Sequence, residues 1–405
     1  MWKKVEININ DHVKVPIITK DLSTEEYSTV YDDYISELAI NEIALDKPLW
    51  ELHIFNYPTK SASATLIFKF HHAIGDGTSL MGIVLSCIQR SDDHSKPLTF
   101  PAGTTSRENK HTHKTIMKVI NIVPKLMAST FYSFYDFGES LRLLYSEDDR
   151  TPIRSGDTDI NHHYSLCRVD LSLIDVKRIK TTLGVTVNDV VVGIIFLGTR
   201  LYMQEINHGQ INNTRSRIVI TFNIRSDKRY ARPEEMVEEH TKVPWGNRFA
   251  LYDLPITNLK EDDFRNPLKF ILKAHKLIKR KRNTPLAIYL FYGFLGVIRL
   301  FGGLEAATKT FERTSKNCSF VMTNMMGPTE KMSLANHPVK GFYFMPTGVR
   351  SSLTVSVMSY MEQLTIGLVV EKGFIDHNRL MKCVEKAFQL ILQAATTTSN
   401  SGQKS

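Results

Sequence analysis

Apolar residues recur along this chain in short runs bounded by polar and turn residues, a pattern typical of β-strands. We predict strands at Val5–Ile9, Trp50–Asn56, Ala64–Phe70, His163–Val169, Arg217–Ile224, Arg248–Leu254, Cys318–Asn324, Leu353–Ser359 and Leu364–Val370. Longer stretches repeat their apolar residues with the spacing of a helix. We predict helices within residues 21–45, at Ser79–Arg90, on both sides of Pro124 between Thr115 and Tyr145, and at Leu171–Thr182, Val187–Gln204 and Asn378–Ala394. Because strands and helices are mixed throughout, the fold class is α/β or α+β.

Three polar segments divide this pattern. Residues 91–114 are rich in charged side chains and predict a mobile surface loop. Residues 146–162 are polar and contain glycine, and they predict a linker between a first domain at 1–145 and a second at 163–395. The Ser/Thr-rich end, 396–405, predicts a disordered tail.

The composition is that of a globular protein, with 42% hydrophobic and 23% charged residues among 405. The formal net charge of +9 favours a negatively charged partner, which is a nucleic acid, an anionic membrane or a phosphate-rich cofactor. Nucleic acid ranks last among these, because the basic residues follow no nucleic-acid-binding motif. The four widely spaced cysteines and the lack of an apolar leader after Met1 favour a reducing compartment without a secretory signal.

The most informative segment is the strand and turn from Phe68 to Gly77, which reads Phe-Lys-Phe-His-His-Ala-Ile-Gly-Asp-Gly. Strand side chains alternate between two faces. His72 therefore continues the apolar face of Phe68 and Phe70, and we expect it to point towards an interior or a pocket, with His71 towards the back of the sheet. Imidazole titrates near pH ~6.5, so it can take and return a proton at physiological pH.

Two other interpretations of this histidine pair remain open. The two rings can be a hydrogen-bonded pair in the core, without chemistry. A metal site is the second alternative, but neighbouring strand residues diverge and no Cys, His, Asp or Glu stands at ligand spacing nearby.

The pattern His-His-x-x-x-Asp-Gly resembles the signature of coenzyme-A-dependent acyltransferases related to chloramphenicol acetyltransferase. The resemblance implies that His72 is the general base and that Asp76 mainly holds the loop in shape. Gly75 and Gly77 permit backbone angles that other residues resist. The helix that follows can favour the Asp76 carboxylate at its positive N-terminal end.

Four motifs in order extend the resemblance over nearly the whole chain: Pro48-Leu49-Trp50, His71 to Gly77, Thr186 to Val190, and Thr323-Asn324-Met325-Met326-Gly327-Pro328. Together they resemble the plant branch of the bifunctional wax ester synthase/diacylglycerol acyltransferase family. This resemblance implies two chloramphenicol-acetyltransferase-like domains, each with a mixed sheet flanked by helices, and an active site in a tunnel between them.

The same resemblance implies acyl transfer from fatty acyl-coenzyme A, a co-substrate, to a long-chain alcohol or diacylglycerol, without a permanently bound cofactor. It also implies a place at the cytosolic face of the endoplasmic reticulum membrane or at the plasma membrane. His71, Gly77, Asn188, Asp189 and Asn324 would be substrate-binding or structural residues. Asn188 at a helix start can cap that helix or donate to a developing oxyanion.

One departure from the family concerns the N-terminus, because members usually carry a further strand and helix before the point where Met1 stands. We therefore expect a shortened first domain. Two rival functions follow from the sequence. The first is a soluble acyltransferase of specialised metabolism, although its late Asp-Phe-Gly-Trp-Gly motif is missing here. The second is a lipid-binding or acyl-coenzyme-A-binding protein without turnover.

An uncharged, aromatic-rich run from Leu286 to Ile298 follows the basic residues Lys276, Lys279, Arg280, Lys281 and Arg282. Basic residues beside an apolar helix suit an anionic lipid surface. The run is too short to span a bilayer, which takes about 20 apolar residues. An interfacial helix, a substrate-channel helix or a buried core helix with a solvated basic neighbour fits this pattern.

Overall fold

A computed structural model of the protein describes residues 5–100, 115–156, 163–208, 214–227, 229–256 and 266–402. Its helices, numbered in chain order, are α1 (Thr24–Ile40), α2 (Gly77–Ser86), α3 (Thr115–Tyr145), α4 (Leu173–Leu183), α5 (Val187–Ile206), α6 (Pro233–Met236), α7 (Leu268–Arg282), α8 (Pro285–Lys316) and α9 (His377–Gly402). Its strands are β1 (Val13–Lys14), β2 (Trp50–Phe55), β3 (Thr65–Phe70), β4 (Gln89–Arg90), β5 (Tyr164–Ser172), β6 (Arg217–Asn223), β7 (Phe249–Pro255), β8 (Phe320–Met326), β9 (Met332–Leu334), β10 (His337–Pro338), β11 (Leu353–Tyr360) and β12 (Gln363–Glu371). The fold class is α/β, as the sequence predicts.

The second half of the chain surrounds a six-stranded mixed sheet in the order β5–β12–β11–β8–β6–β7. β8 runs parallel to both β11 and β6, and the other neighbours are antiparallel. Helices α4, α5, α7 and α9 cover one face, on which Phe320, Val355 and Ile366 are fully buried. This face is the main core of the molecule, and its burial is the largest stabilising contribution to the fold.

The first half contains a smaller mixed sheet, in which β1 runs parallel to β2 and β2 antiparallel to β3. Phe55 of β2 is fully buried against Tyr31 and Ile35 of α1. On the other face, Phe68 and Phe70 of β3 pack in a cluster with residues of α2. The sheet is therefore enclosed between α1 and α2.

Contacts away from the motif loop also join the halves. β4, which follows α2, pairs with β9 of the second half, so that Gln89 lies opposite Ser333. Helix α3 packs on the second half as well, because its Leu143 is buried with Val219 and Val321 on the free face of the large sheet.

Two predicted elements differ in the structure. The predicted strand Val5–Ile9 is irregular and leads into a 3₁₀ turn at Ile9–Asp11. Its apolar side chains stay exposed and therefore gain nothing from a strand conformation. The two helices predicted around Pro124 are one helix, α3. A proline inside a helix loses one backbone hydrogen bond, and the packing of the later turns against α8 and the large sheet offsets that loss.

The predicted polar segments are more ordered than expected where the structure describes them. Of the predicted linker, Asp148, Ile153 and Arg154 are buried, and residues 157–162 lie outside the described range. In the predicted loop at 91–114, Thr99 binds Glu330 through its backbone N–H, at 2.9 Å, and residues 101–114 are outside the described part. The predicted disordered tail is wrong up to Gly402, because α9 continues through it.

Helix α8 contains the apolar run for which contact with a membrane is one of the sequence predictions. By length and composition, Leu286–Lys316 is the one helix among the described residues that is long and apolar enough to cross a membrane, and the bent pair α4 and α5 passes the same test together. The pair lies in the main core. Of the basic residues before α8, Lys281 is buried between Asp136 and Asp253, and Arg280 binds Asp136. These two cations are therefore structural and do not face a lipid surface as the sequence suggests.

Candidate active site

The His-His-x-x-x-Asp-Gly motif forms the connection between β3 and α2. The strand ends at Phe70, and the His71 N–H still binds the Leu49 carbonyl at 3.0 Å. The chain then turns, and the Ile74 N–H binds the His71 carbonyl at 3.0 Å. Asp76 is the N-cap of α2, because its carboxylate accepts a hydrogen bond from the Ser79 N–H at 3.1 Å. Aspartate is among the preferred N-cap residues, so the local sequence specifies this turn.

The Asp76 carboxylate is buried and paired with Arg225, which follows β6 in the second half. The guanidinium donates to both carboxylate oxygens, at 2.7 and 3.0 Å. A third donor, the Arg248 N–H, lies 2.9 Å from Oδ2. Arg225 also donates to the carbonyls of Pro244 and Gly246. A bidentate pair of this kind fixes geometry as well as charge.

Further contacts from the second half hold the motif loop on both sides of Asp76. The Trp245 indole N–H donates to the Ile74 carbonyl at 2.8 Å, and the Asn247 amide donates to the His72 carbonyl at 3.0 Å. Gly77 lies so close to Met325 that an added Cβ would stand 2.8 Å from its sulfur. We call Arg225, Trp245 and Asn247 the clasp. The motif loop belongs to the first half, and the clasp of the second half sets its position.

His72 itself is exposed, so it does not point into an interior, and the alternative that it faces a pocket stays a prediction. The alternation of the strand stops at Phe70, so it no longer fixes the direction of His72. The ring lies against Phe249 at the start of β7, with 5.6 Å between the ring centroids. Neither ring nitrogen of His72 has a hydrogen-bond partner among the described residues. The imidazole is thus available to a hydroxyl group from outside the protein.

His71 is also exposed, but its ring takes part in the turn. The Ala73 N–H donates to Nδ1 of His71 at 3.1 Å. The two histidines therefore differ, because the first shapes the loop and the second is open to a ligand. Within the described residues, no three or more His, Cys, Asp and Glu side chains come together as a metal site would require.

A tyrosine and an arginine border the same site. The Tyr292 hydroxyl of α8 donates to the Phe249 carbonyl. Burial raises the pKa of Tyr292, the negative charge of Asp76 raises it further, and the positive charge of Arg248 opposes both. The Arg248 side chain is exposed, and its guanidinium has no hydrogen bond or ion pair within the described residues. A cation that is unpaired among the described residues therefore stands directly after Asn247 of the clasp.

Asn188 and Asn324 come together, 136 residues apart in sequence, because the Asn324 side-chain amide N–H donates to Oδ1 of Asn188 at 2.9 Å. The sequence allows Asn188 as a cap of α5, but the structure shows that it is not the cap. Thr186 is the cap, and it forms a capping box with Asp189. No hydrogen bond within the described part of the chain joins the Asn188–Asn324 pair to His72.

Asp189 has a structural environment. Its carboxylate is 2% exposed, accepts from the Thr186 N–H at 2.9 Å and lies 2.8 Å from Nδ1 of His275 on α7. Burial, with the charge of Asp189 as the next contribution, raises the pKa of Tyr252 to about 12. Asp189 therefore ties the start of α5 to α7 and to the large sheet.

Sequence reasoning missed the clasp. Its residues stand far along the chain from Asp76, and Arg225 and Asp76 are 149 positions apart. One local feature indicated a site near residue 245. A tryptophan and a glycine, Trp245-Gly246, stand just before the strand predicted from Arg248.

Comparison with known proteins places the chain in one family. The family model described as the wax ester synthase/diacylglycerol acyltransferase catalytic domain matches residues 1–191, and the WS/DGAT C-terminal domain model matches residues 245–392. Wax ester synthase/diacylglycerol acyltransferase 7 of Arabidopsis thaliana is 27% identical over 96% of this chain and 84% of its own length. Wax ester synthase/diacylglycerol acyltransferase 4 of the same plant is 29% identical over 98% of this chain and 78% of its own length.

Solved structures share the fold. The wax ester synthase/diacylglycerol acyltransferase from Marinobacter aquaeolei VT8 superposes with a TM-score of 0.57 at 16% identity, covering 98% of this chain and 82% of that one. The EpoB cyclization-docking bidomain from Sorangium cellulosum gives a TM-score of 0.51 at 11% identity, over 97% of this chain and 71% of that one. These likenesses confirm the predicted two-domain, chloramphenicol-acetyltransferase-like fold. The chain belongs to the wax ester synthase/diacylglycerol acyltransferase family, and it is an acyltransferase.

Proposed function

We propose that this acyltransferase moves a fatty acyl group from acyl-coenzyme A to the hydroxyl of a long-chain alcohol, of diacylglycerol or of both. The observation that carries the proposal is the exposed His72 ring, whose nitrogens are free in the described part of the chain while its backbone is held by Asn247. A base must reach the proton it takes from a substrate hydroxyl, and a fixed, unpartnered imidazole meets that condition.

In the proposed reaction a ring nitrogen of His72 takes the acceptor's hydroxyl proton as the oxygen attacks the thioester carbonyl. The new C–O bond forms, the tetrahedral intermediate collapses, and the C–S bond breaks. The imidazolium then returns its proton to the coenzyme A thiolate, so the ring is neutral again and no covalent acyl-enzyme forms. General-base catalysis of this kind contributes about 10²–10⁴-fold to a rate.

The other motif residues act in this proposal through position. Asp76 holds the loop by capping α2 and by pairing with Arg225. Gly77 allows close approach to Met325 of β8. The Asn188–Asn324 hydrogen bond fixes the start of α5 against β8, and Asp189 stabilises that helix end.

We further propose that the enzyme works at a membrane, on the cytosolic face of the endoplasmic reticulum, with the plasma membrane as a second location. The support is chemical. Long-chain alcohols and diacylglycerol dissolve in lipid. Helix α8 is apolar, and only 6% of its most apolar 18-residue stretch is buried in the protein.

The test is product analysis. Purified protein is given palmitoyl-coenzyme A with hexadecanol or diacylglycerol, and in parallel an aromatic acyl-coenzyme A with a polar hydroxyl acceptor. We expect wax ester or triacylglycerol in the first reaction. Product only in the second would assign the chain to specialised metabolism, and acyl-coenzyme A binding without any product would make it a lipid-binding protein. Either result contradicts the proposal.

A further inference from the structure

Helices α3 and α8 form a pair with an unusual surface. They pack along each other through Phe137 and Phe294, whose ring centroids are 6.3 Å apart, and the Ser129 hydroxyl of α3 donates to the carbonyl of Asn283, which lies between α7 and α8, at 2.6 Å. Of the 26 large hydrophobic side chains that are exposed in the described residues, fourteen lie on these two helices. They are Leu126, Met127, Phe131, Tyr132, Phe134, Tyr135, Tyr145, Leu286, Tyr289, Tyr292, Val297, Leu300, Phe301 and Leu304. We call this surface the docking face, and a concentration of this kind marks an interaction site.

The docking face has a corner, which we define as residues 299–305 around a break in α8. Helix α8 breaks at Gly303, whose φ of 77° and ψ of −178° suit glycine and strain other residues. Every residue from 299 to 305 is exposed. Leu300, Phe301 and Leu304 are 78%, 85% and 67% exposed, so the corner presents three large apolar side chains to the surroundings.

The break and the contacts of α8 favour a helix that lies along a bilayer rather than across it. The segment after Gly303 carries five charged residues in thirteen, which do not suit a hydrocarbon core. The segment before it is fixed to the protein, because Phe291 is buried and Tyr292 binds the Phe249 carbonyl. A helix held along its side by the protein has only its outer side left for lipid, which is the geometry of an interfacial helix.

The charge near the docking face selects an anionic surface. Helices α7 and α8 together hold eleven lysines and arginines against two glutamates, and of these cations Arg280 and Lys281 are paired with Asp136 and Asp253 of other elements. Lys276, Lys279, Arg282 and Arg299 are exposed and have no ion-pair partner in the part of the chain that the structure describes. Cations near an anionic leaflet are attracted to it and strengthen binding.

The docking face also reaches the candidate active site. Phe311, beyond the corner, lies 5.8 Å from the Phe249 ring, and Phe249 lies 5.6 Å from the His72 ring. Tyr292, before the corner, binds the backbone of the same Phe249. Both segments of α8 therefore meet the strand end on which His72 rests.

We propose that α3 and α8 dock in the interface of an anionic phospholipid bilayer, with Leu300, Phe301 and Leu304 inserted among the acyl chains, and that this brings His72 to the lipid surface. The lipid-soluble acceptor then reaches His72 from the bilayer. The second part rests on the proposed function, but the docking itself does not.

The test measures docking without substrate, so it is independent of turnover. The full chain is floated with phosphatidylcholine vesicles, with and without phosphatidylserine. We expect binding that increases with phosphatidylserine and falls with salt. In the double variant L300E/F301E, binding should fall at least about tenfold, because two large apolar side chains that leave water on docking are replaced by charged ones. The matched control is Leu45→Glu, at an exposed leucine of the first half, and it should bind as the wild type.

Melting temperatures establish that the variants fold. Equal vesicle binding by L300E/F301E and the wild type, or an equal loss in Leu45→Glu, would overturn the docking face. Extraction with alkaline carbonate tests the in-plane geometry, since an interfacial protein is released and a spanning one is retained. Retention would overturn the proposal. If docking holds but no acyl ester forms with any acceptor, the proposed function fails and the docking face remains.

Discussion

Asp76 and His72 stand four positions apart and have opposite surroundings. The Asp76 carboxylate is 4% exposed and receives hydrogen bonds from Arg225, Ser79 and the Arg248 backbone. The His72 ring is exposed, lies against the Phe249 ring and has no hydrogen-bond partner in the described part of the chain. Substitution of the first should therefore change the stability of the fold, and substitution of the second should change chemistry alone.

Replacement of Arg225 by alanine tests whether the ion pair with Asp76 stabilises the fold. The variant leaves a buried carboxylate without its counter-charge, and breaking a buried pair in this way costs about 3–5 kcal/mol. We expect a lower free energy of unfolding in urea and a loss of ester formation. Arg379→Ala is the control, because its pair with Asp376 lies at the surface, and it should unfold as the wild type does. An unchanged unfolding curve for Arg225→Ala would remove the clasp from the account.

Arg248 gives a prediction about the acyl donor. Its guanidinium is exposed and unpaired in the described residues, beside a site proposed to receive a cofactor-like donor with several phosphates. We expect Arg248→Gln to raise the KM for palmitoyl-coenzyme A and to leave the KM for palmitoyl-pantetheine, which lacks the nucleotide, unchanged. An equal rise for both donors would show that Arg248 does not meet the nucleotide phosphates.

The sequence predicted this site in part. The motif residues were found because their chemistry is local: a strand, a turn with two glycines and a helix cap within ten positions. The direction of His72 was not found, since the strand ends two residues earlier. Nor was Arg225, because a salt bridge between residues 149 positions apart depends on the tertiary fold and has no pattern in a single sequence.

Among the helices and strands, the predicted limits were correct where one face or both faces of the element are buried. The strands of the large sheet and helices α4 and α5 begin and end within a few residues of their predicted limits. The prediction failed at Pro124, where tertiary packing carries a helix through a proline, and at the C-terminal threonines, which continue α9 with hydroxyls bonded to carbonyls one turn earlier. Local propensity is weak beside such packing.

Two glycines in helices test how closely α5 packs. A Cβ on Gly193 would lie 2.6–3.0 Å from the side chain and backbone of Ile271 on α7. Gly138 of α3 has nothing within 4 Å of its Cβ position. We expect Gly193→Ala to lower the free energy of unfolding by about 1–3 kcal/mol through overpacking. Gly138→Ala should raise it by about 0.5–1 kcal/mol, because alanine is the better helix former.

Thermal and urea unfolding of the two variants give the comparison directly. If Gly193→Ala is as stable as Gly138→Ala, the backbones of α5 and α7 do not approach as closely as the structure has them. Such a result would also weaken the position of His275 against Asp189, since it depends on the same approach.

For the whole molecule, the first half supplies the motif loop and the second half supplies its clasp, its aromatic neighbour and the docking face. Neither half alone carries the site. A sequence pattern indicates the two halves and their class, but it does not give the contacts of the clasp with the motif loop, which join residues 149 to 175 positions apart. That is why fold class and motif were predictable and the assembled site was not.

The central claim is that His72 is the base of an acyl transfer at a lipid surface. Its most direct test is the rate of ester formation from palmitoyl-coenzyme A and hexadecanol by His72→Ala, with His240→Ala, another exposed histidine, as the control. We expect a fall of about 10²–10⁴-fold for His72→Ala, with an unchanged melting temperature, and normal activity for the control. A His72→Ala variant that keeps most of the wild-type rate would contradict the claim.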